Sequence, residues 1–333
     1  MTLSKFVTTT TWLVRDTFRQ SLASGLCWLL LGLSTICILV CCSAGANGHR
    51  SLILPGEHNG NFLPRFDREA HDAQKLKQSG TIVADGTLSL AFGAIRVPLA
   101  RDAREAVHFV QLVLSAGVAD TLGLLLTLVW TAGFLPGFLD RRAIAVLLAK
   151  PIPRGALLMG KYIGVLAFVL VQASYFVVGT WLALALRTGI WDASYLLSVP
   201  LLLLHFAIFF SVSLLLAVCT RSTVVSVFGS IAFWGICWAI NYGRHSVMAA
   251  AAIAPEGSIS PGLLRLANFG YWLFPKPVDL GRFVFDTLGA ESSFRPLFQH
   301  LPSVSMGLSI FTSLLFTGYV LFAASRYLRR VEY

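Results

Sequence analysis

Charge is scarce in this sequence: Asp, Glu, Lys and Arg together make up 13% of 333 residues, and Asp plus Glu number 16. A water-soluble domain carries about twice that share, so water is excluded as the solvent of most of the chain. No polar stretch is long enough for a soluble α/β domain, which removes the usual housing for a nucleotide. No basic domain interleaved with aromatics exists to hold nucleic acid, and the formal charge of +10 suits residues that favour anionic lipid instead. Hydrolase signatures of the G-x-S-x-G or H-E-x-x-H type are missing, and with them any positive sign of catalysis. Cysteines are few, and Cys27, Cys37, Cys41, Cys42, Cys219 and Cys237 all fall in or beside apolar runs without metal-type spacing. His49, His58 and His71 are too far apart in sequence for a compact ligand set. Neither a metal nor a cofactor is expected.

What the chain has is apolar length. It is 56% hydrophobic, with a mean hydropathy of +0.73. A membrane-crossing helix needs about 20 mainly apolar residues, and six runs qualify: 23–44, 109–135, 162–186, 196–219, 224–242 and 301–325. Only the second is interrupted, by Asp120. The fold class follows: an all-α polytopic membrane protein of six transmembrane helices, with both termini on one side. The first run follows a segment bearing Lys5, Arg15, Asp16 and Arg19 and is long enough to cross, so it reads as a retained anchor rather than a cleaved leader.

Orientation tracks Lys and Arg in short loops. With the N-terminus inside, the inner loops and tails hold twelve Lys/Arg against Asp16, Asp140 and Glu332, whereas the outer cations are mixed with twelve acids in two long loops. Both termini are therefore expected in the cytoplasm.

Residues 1–22 place Leu3, Val7, Val14, Phe18 and Leu22 at helical spacing with charges on other faces, which predicts an amphipathic helix lying on the inner surface. Residues 45–108 form a polar outer segment whose end alternates, putting Leu88, Leu90 and Phe92 on one face of a small β element. The loop 136–161 predicts a short helix capped by Asp140, with Ile144, Leu147 and Leu148 on its apolar stripe and Pro151 and Pro153 as its stop. Residues 187–195 are a short outer loop and 220–223 a cytoplasmic turn. Residues 243–300 contain an apolar piece at 246–254 too brief to cross, then aromatics dense enough to predict interfacial or re-entrant helices. The last residues, 326–333, are an inner tail.

Several constellations carry alternative readings. Residues 155–161, Gly-Ala-Leu-Leu-Met-Gly-Lys, match the first positions of a P-loop, but Tyr162 stands where a Ser or Thr must reach magnesium. Lys161 reads instead as an inner-face anchor. Asp120 sits mid-span, where an ionised carboxylate costs about 3 kcal/mol, so it needs a bundle interior, a cavity or a partner. Ser211, Ser213, Ser226 and Ser230 are candidate hydrogen-bond partners, and His205 in the fourth span is another at similar depth. Asp120, His205, Ser226 and Ser230 together form the candidate translocation path. Gly160 and Gly164, like Ser222, Ser226 and Ser230, recur every four residues, the spacing that lets helices approach closely.

The run Asp140 to Arg154, with Leu157, Leu158, Gly160 and Lys161 after it, resembles permeases of type-2 ABC exporters, most of all the copper-enzyme-maturation permease branch. Ala149 stands where that pattern has Ser, and Phe138 where it has Glu. The resemblance implies a permease, homodimeric or heterodimeric, in a bacterial inner membrane. It also implies a cytoplasmic ATPase on a separate chain, docked on a coupling helix carrying Asp140, Arg141, Arg142, Ile144, Leu147 and Leu148. Two readings from other classes stand beside it: a membrane scaffold recruiting a partner through 45–108, and an intramembrane enzyme using Asp120 and His205.

Overall fold

The computed structural model describes residues 3–53, 81–99, 103–133, 153–253, 260–287 and 306–330. Among these, six helices are long and apolar enough to cross a membrane, and the protein is an all-α multi-pass bundle with one small sheet.

Helix α1 (Leu3–Leu22) precedes the first span, α2 (Gly25–Ser43). A sheet follows, with β1 (Gly45–Ile53), β2 (Thr81–Leu90) and β3 (Ile95–Leu99) antiparallel in that order; Gly45 faces Ser89 and Leu88 faces Val97. The second span, α3 (Ala103–Ala132), changes winding twice: it is α-helical to Leu112, π-helical from Val113 to Gly123, and α-helical again from Leu124. Then come α4 (Arg154–Thr188), a 3-10 turn (Ala193–Leu197), α5 (Ser198–Thr220) and α6 (Thr223–Ile253). Two shorter helices, α7 (Pro261–Leu273) and α8 (Pro277–Thr287), lead to the last span, α9 (Met306–Arg330).

Helix α5 is the axis of the bundle. It is apolar on every side, and 72% of its most hydropathic window is buried, against 39% or less for every other span; a helix hydrophobic all round belongs inside. Stacked rings fill the centre: Tyr162 on Phe210 (centroids 5.6 Å apart) and Phe206 on Phe210 (5.2 Å). The Tyr162 hydroxyl donates to the Ala207 carbonyl at 2.9 Å, so the one polar atom of that stack is paired. Helices α2 and α9 instead expose Trp28, Leu39, Phe311 and Tyr319, the surface an apolar solvent requires.

Turns follow local chemistry. Gly189 takes the left-handed conformation (φ +72°) that ends α4. Arg221 does the same without being glycine (φ +54°), which joins α5 to α6 in a two-residue corner at a strain cost of about 1 kcal/mol.

Helix α1 lies in a groove of α4, where a Cβ on Gly164 would come within 2.8 Å of the Thr17 hydroxyl. The small-residue spacing of Gly160 and Gly164 thus serves α1, not another span. Lys161, expected as an inner-face anchor, is fully buried, donating to the Gln20 side chain at 2.6 Å and lying 3.7 Å from the Asp16 carboxylate. The apolar piece 246–254 is not separate, because α6 runs on to Ile253. The strand expected through Phe92 ends at Leu90; Leu88 is buried as expected, but Phe92 sits on a 3-10 turn at positive φ, 78% exposed.

Candidate functional site

Asp120 and His205 meet. Asp120 lies on the π-helical stretch of α3, where the Leu124 N–H reaches the Ala119 carbonyl five residues back. A π-turn widens the helix and displaces its side chains sideways, and here it carries the carboxylate to α5, where Nδ1 of His205 hydrogen-bonds its Oδ1. His205 is enclosed, with its ring 5.2 Å from Phe209, and its Nε2 is buried without a partner among the described residues. Counting about 1.5 Å per residue, the pair stands about 20 Å from the ends of its helices at Ala132 and Thr220, about two-thirds of the way across a 30 Å hydrocarbon layer.

The other side of Asp120 faces α8: a Cβ on Gly281 would lie 3.9 Å from its Oδ2. A polar crevice wall lies nearby, where Gln172 donates to Ser34 at 3.0 Å. A cavity of about 80 Å³ opens there, lined mainly by apolar residues such as Leu30, Val118, Ala119 and Phe206.

Helix α8 is pinned by a second Asp–His pair. Lys276 is its N-cap, its carbonyl accepting from the Leu280 N–H, and Pro277 opens the first turn. Asp279 follows in that turn, where the helix dipole favours a carboxylate. Its side chain is fully buried and accepts from His245 Nε2 (2.6 Å), the Tyr271 hydroxyl (2.6 Å) and the Ser309 hydroxyl (3.1 Å). Its backbone N–H donates to Asn241 at 3.2 Å. One carboxylate thereby ties together α6, α7, α8 and α9.

Two cations flank the Tyr271 ring, Arg244 at 3.8 Å and Lys276 at 4.7 Å from its centroid. Burial raises the Asp279 carboxyl, but the hydrogen bonds from His245 and Tyr271 outweigh it and hold it below the usual range. Burial foremost pushes the Tyr271 hydroxyl above its ordinary range, and acceptance by Asp279 adds to it.

A model of the ABC-2 family transporter protein matches residues 12–330. The chain belongs to the ABC-2 transporter family. It is the membrane permease component of an ABC transporter. No curated protein matches the chain.

Of the residues expected to line the path of this ABC-2 permease, Asp120 and His205 come together and the serines do not join them. Ser226 and Ser230 are buried on α6, but their hydroxyls turn back to the carbonyls of Ser222 and Val227. Ser211 likewise donates to Ile208. The sequence offers serines as partners of Asp120; the imidazole holds that place. Asp140, Arg141, Arg142, Ile144, Leu147 and Leu148 lie outside the described residues, as do His58 and His71. Residues 155–161 are continuous α-helix within α4, their glycines and Lys161 covered by α1 and α9. Among the described residues no group of three His, Cys, Asp or Glu could hold a metal.

The Asp279 cluster escaped sequence reasoning because 243–300 reads as an outer loop. The signal was present locally: Lys276, Pro277 and Asp279 are a helix start, with proline at N1 and an acid in the first turn.

Lys276 makes the cluster pH-sensitive. It is 1% exposed, its ammonium donates to the Thr312 hydroxyl at 2.7 Å, and among the described residues no carboxylate stands within ion-pair distance. Burial pulls it from 10.5 to about 8; the Asp279 charge works against that fall and Arg244 adds to it. Between those values the unfolded chain binds a proton that the folded protein does not, so this group makes stability rise with pH from about 8 to about 10.5. Tryptophan-fluorescence melts in detergent should show that rise for the wild type and not for Lys276→Met. Parallel curves for the two would refute the assignment.

Proposed function

We propose that this chain is the permease half of an ATP-driven exporter in a bacterial inner membrane, working as a dimer with its ATPase on a separate chain. It forms the path and carries no nucleotide site. Family membership supports the ATPase partnership, and the helical, covered state of 155–161 leaves no Gly-rich loop there to cradle phosphate. The Lys/Arg bias supports cytoplasmic termini, with the sheet and α7–α8 outside. The pattern around Asp140 to Lys161 favours the copper-enzyme-maturation branch, and the loop helix with Asp140, Arg141, Arg142, Ile144, Leu147 and Leu148 is the docking element for the ATPase.

The observation that carries the translocation path is the Asp120–His205 pair, an ionisable couple inside the hydrocarbon layer, its carboxylate on a π-helical stretch beside α8. Polar residues at that depth are costly and kept for a task. ATP-driven rocking of the spans would move α3 against α5 and change what the carboxylate touches. Ser226 and Ser230 are buried on α6, which packs on α5, and would enter the path when the bundle moves.

Asp120→Asn tests this reading. The amide keeps a hydrogen bond to His205 while losing the charge, so the variant should insert and melt like the wild type. ATP-dependent transport by the reconstituted complex should fall about tenfold, with ATPase association unchanged. Full transport by the variant would return Asp120 to packing.

The exposed sheet, with Phe92 and Ile95 open to solvent, favours a second reading as a scaffold that recruits a partner through 45–108. Function retained in cells without any cognate ATPase would support it over the exporter.

A further inference from the structure

Helix α7 leaves one face uncovered. Leu263, Leu266, Phe269 and Leu273 recur at helical spacing and are 46–68% exposed. The opposite face is seated on α6 through buried Tyr271 and through Gly270, where a Cβ would come within 3.1 Å of Ile240. Between these faces runs a polar flank of Arg265 and Asn268, three residues apart and therefore neighbours on the helix surface, leading to the buried Tyr271.

Arg244 of α6 lies along that flank. Its Nε donates to Asn268 at 2.9 Å and its guanidinium rests 3.8 Å from the Tyr271 ring centre, which holds it beside Asn268, the residue one helical turn from exposed Arg265. Helices α6 and α7 contain no acidic residue, and among the described residues neither arginine has a carboxylate partner. Asp279, the carboxylate of the adjoining cluster, is already committed to three donors. The flank thus holds two unneutralised guanidiniums beside an uncovered apolar stripe.

Its height decides what meets it. Arg244 is about 32 Å along α6 from Thr223, the far boundary of a hydrocarbon layer about 30 Å thick. At that level acyl chains end and phosphodiesters begin, and exposed Trp272 stands there too, as aromatic side chains do at membrane interfaces.

We infer that the Arg244–Arg265 flank of α7 is a binding site for one anionic phospholipid of the leaflet on the sheet side. The phosphodiester lies between the two guanidiniums, which match its oxygens in fork geometry, and the acyl chains follow Leu263, Leu266, Phe269 and Leu273. An anionic headgroup is selected because a zwitterionic one brings an ammonium back to a site that already holds two cations.

The test uses the full chain in detergent, incubated with vesicles of phosphatidylglycerol or phosphatidylcholine, with retained lipid counted by native mass spectrometry. Phosphatidylglycerol should be retained about tenfold more tightly. Arg265→Gln, a change at an exposed position, should cut that preference several-fold without shifting the melt, and R244Q/R265Q should abolish it. Arg329→Gln, at the other end of the bundle, should leave it unchanged. Equal retention of the two lipids, or an undiminished preference in the double variant, would overturn the site. Displacement by millimolar inorganic phosphate would also overturn it, by showing a free-anion site rather than a lipid one.

Discussion

Replacing Asp279 by alanine is expected to lower the unfolding free energy by about 3–5 kcal/mol, the usual cost of removing one partner from a buried charged network. The carboxylate is fully buried, and its loss strands the donors of His245, Tyr271 and Ser309 at once. Lys276, 1% exposed, loses the charge that opposes its deprotonation. Because these donors come from α6, α7 and α9, the damage spreads over three helices that α8 holds in register. A fall in Tm of the order of 5–10 °C is expected, read from tryptophan fluorescence in detergent. Tyr271→Phe, which leaves two donors in place, should cost less than half as much. A melt for Asp279→Ala within about a degree of wild type would show that α8 is held by its apolar contacts alone. The effect should reach transport as well, because Gly281, two residues along α8, stands over Asp120.

Replacing Leu147 and Leu148 together by alanine should separate the permease from its ATPase. Both leucines are expected on the apolar stripe of a short helix begun by Asp140 and stopped by Pro151, and an apolar stripe outside the bilayer needs cover. Helix α3 ends at Ala132 and α4 begins at Arg154, whose side chain donates to the Leu328 carbonyl at 3.4 Å near the end of α9. The start of α4 is therefore beside the C-terminal end of the last span, on the side where the ATPase is proposed to sit. Losing two covered leucines removes on the order of 3–5 kcal/mol, which weakens a docked interface by two or more powers of ten. The variant should insert normally and purify without the ATPase that accompanies the wild type. Co-purification at wild-type affinity would sink the docking assignment, while leaving the Asp120 path to its own test.

Asp120 and His205 show how far a pattern of residue types can reach. Each is the lone acid or base inside an apolar run, and helical rise puts both at similar depth, so the pairing is open to a reading of the sequence. What decided it over the nearby serines was the π-helical stretch from Val113 to Gly123. No proline marks that stretch, which packs against α5 and α8. The serines, meanwhile, found acceptors in their own helix backbones, an option open to any Ser or Thr within a span.

Membrane crossing was written along the chain itself, because a bilayer selects for apolar length and a scan of consecutive residues measures that directly. The six spans, the amphipathic character of α1 and the helix start at Pro277 are local properties of this kind. Burial against another helix is not local. Lys161 looks like any cation at a membrane edge until Gln20 and Asp16 close over it. His245 and Asp279, thirty-four residues apart, become a pair only when α7 turns the chain back and seats α8 among the spans. Hydrophobic length needs no partner to be read, whereas a buried polar group is defined by one, and partners are chosen by the packing of the whole bundle.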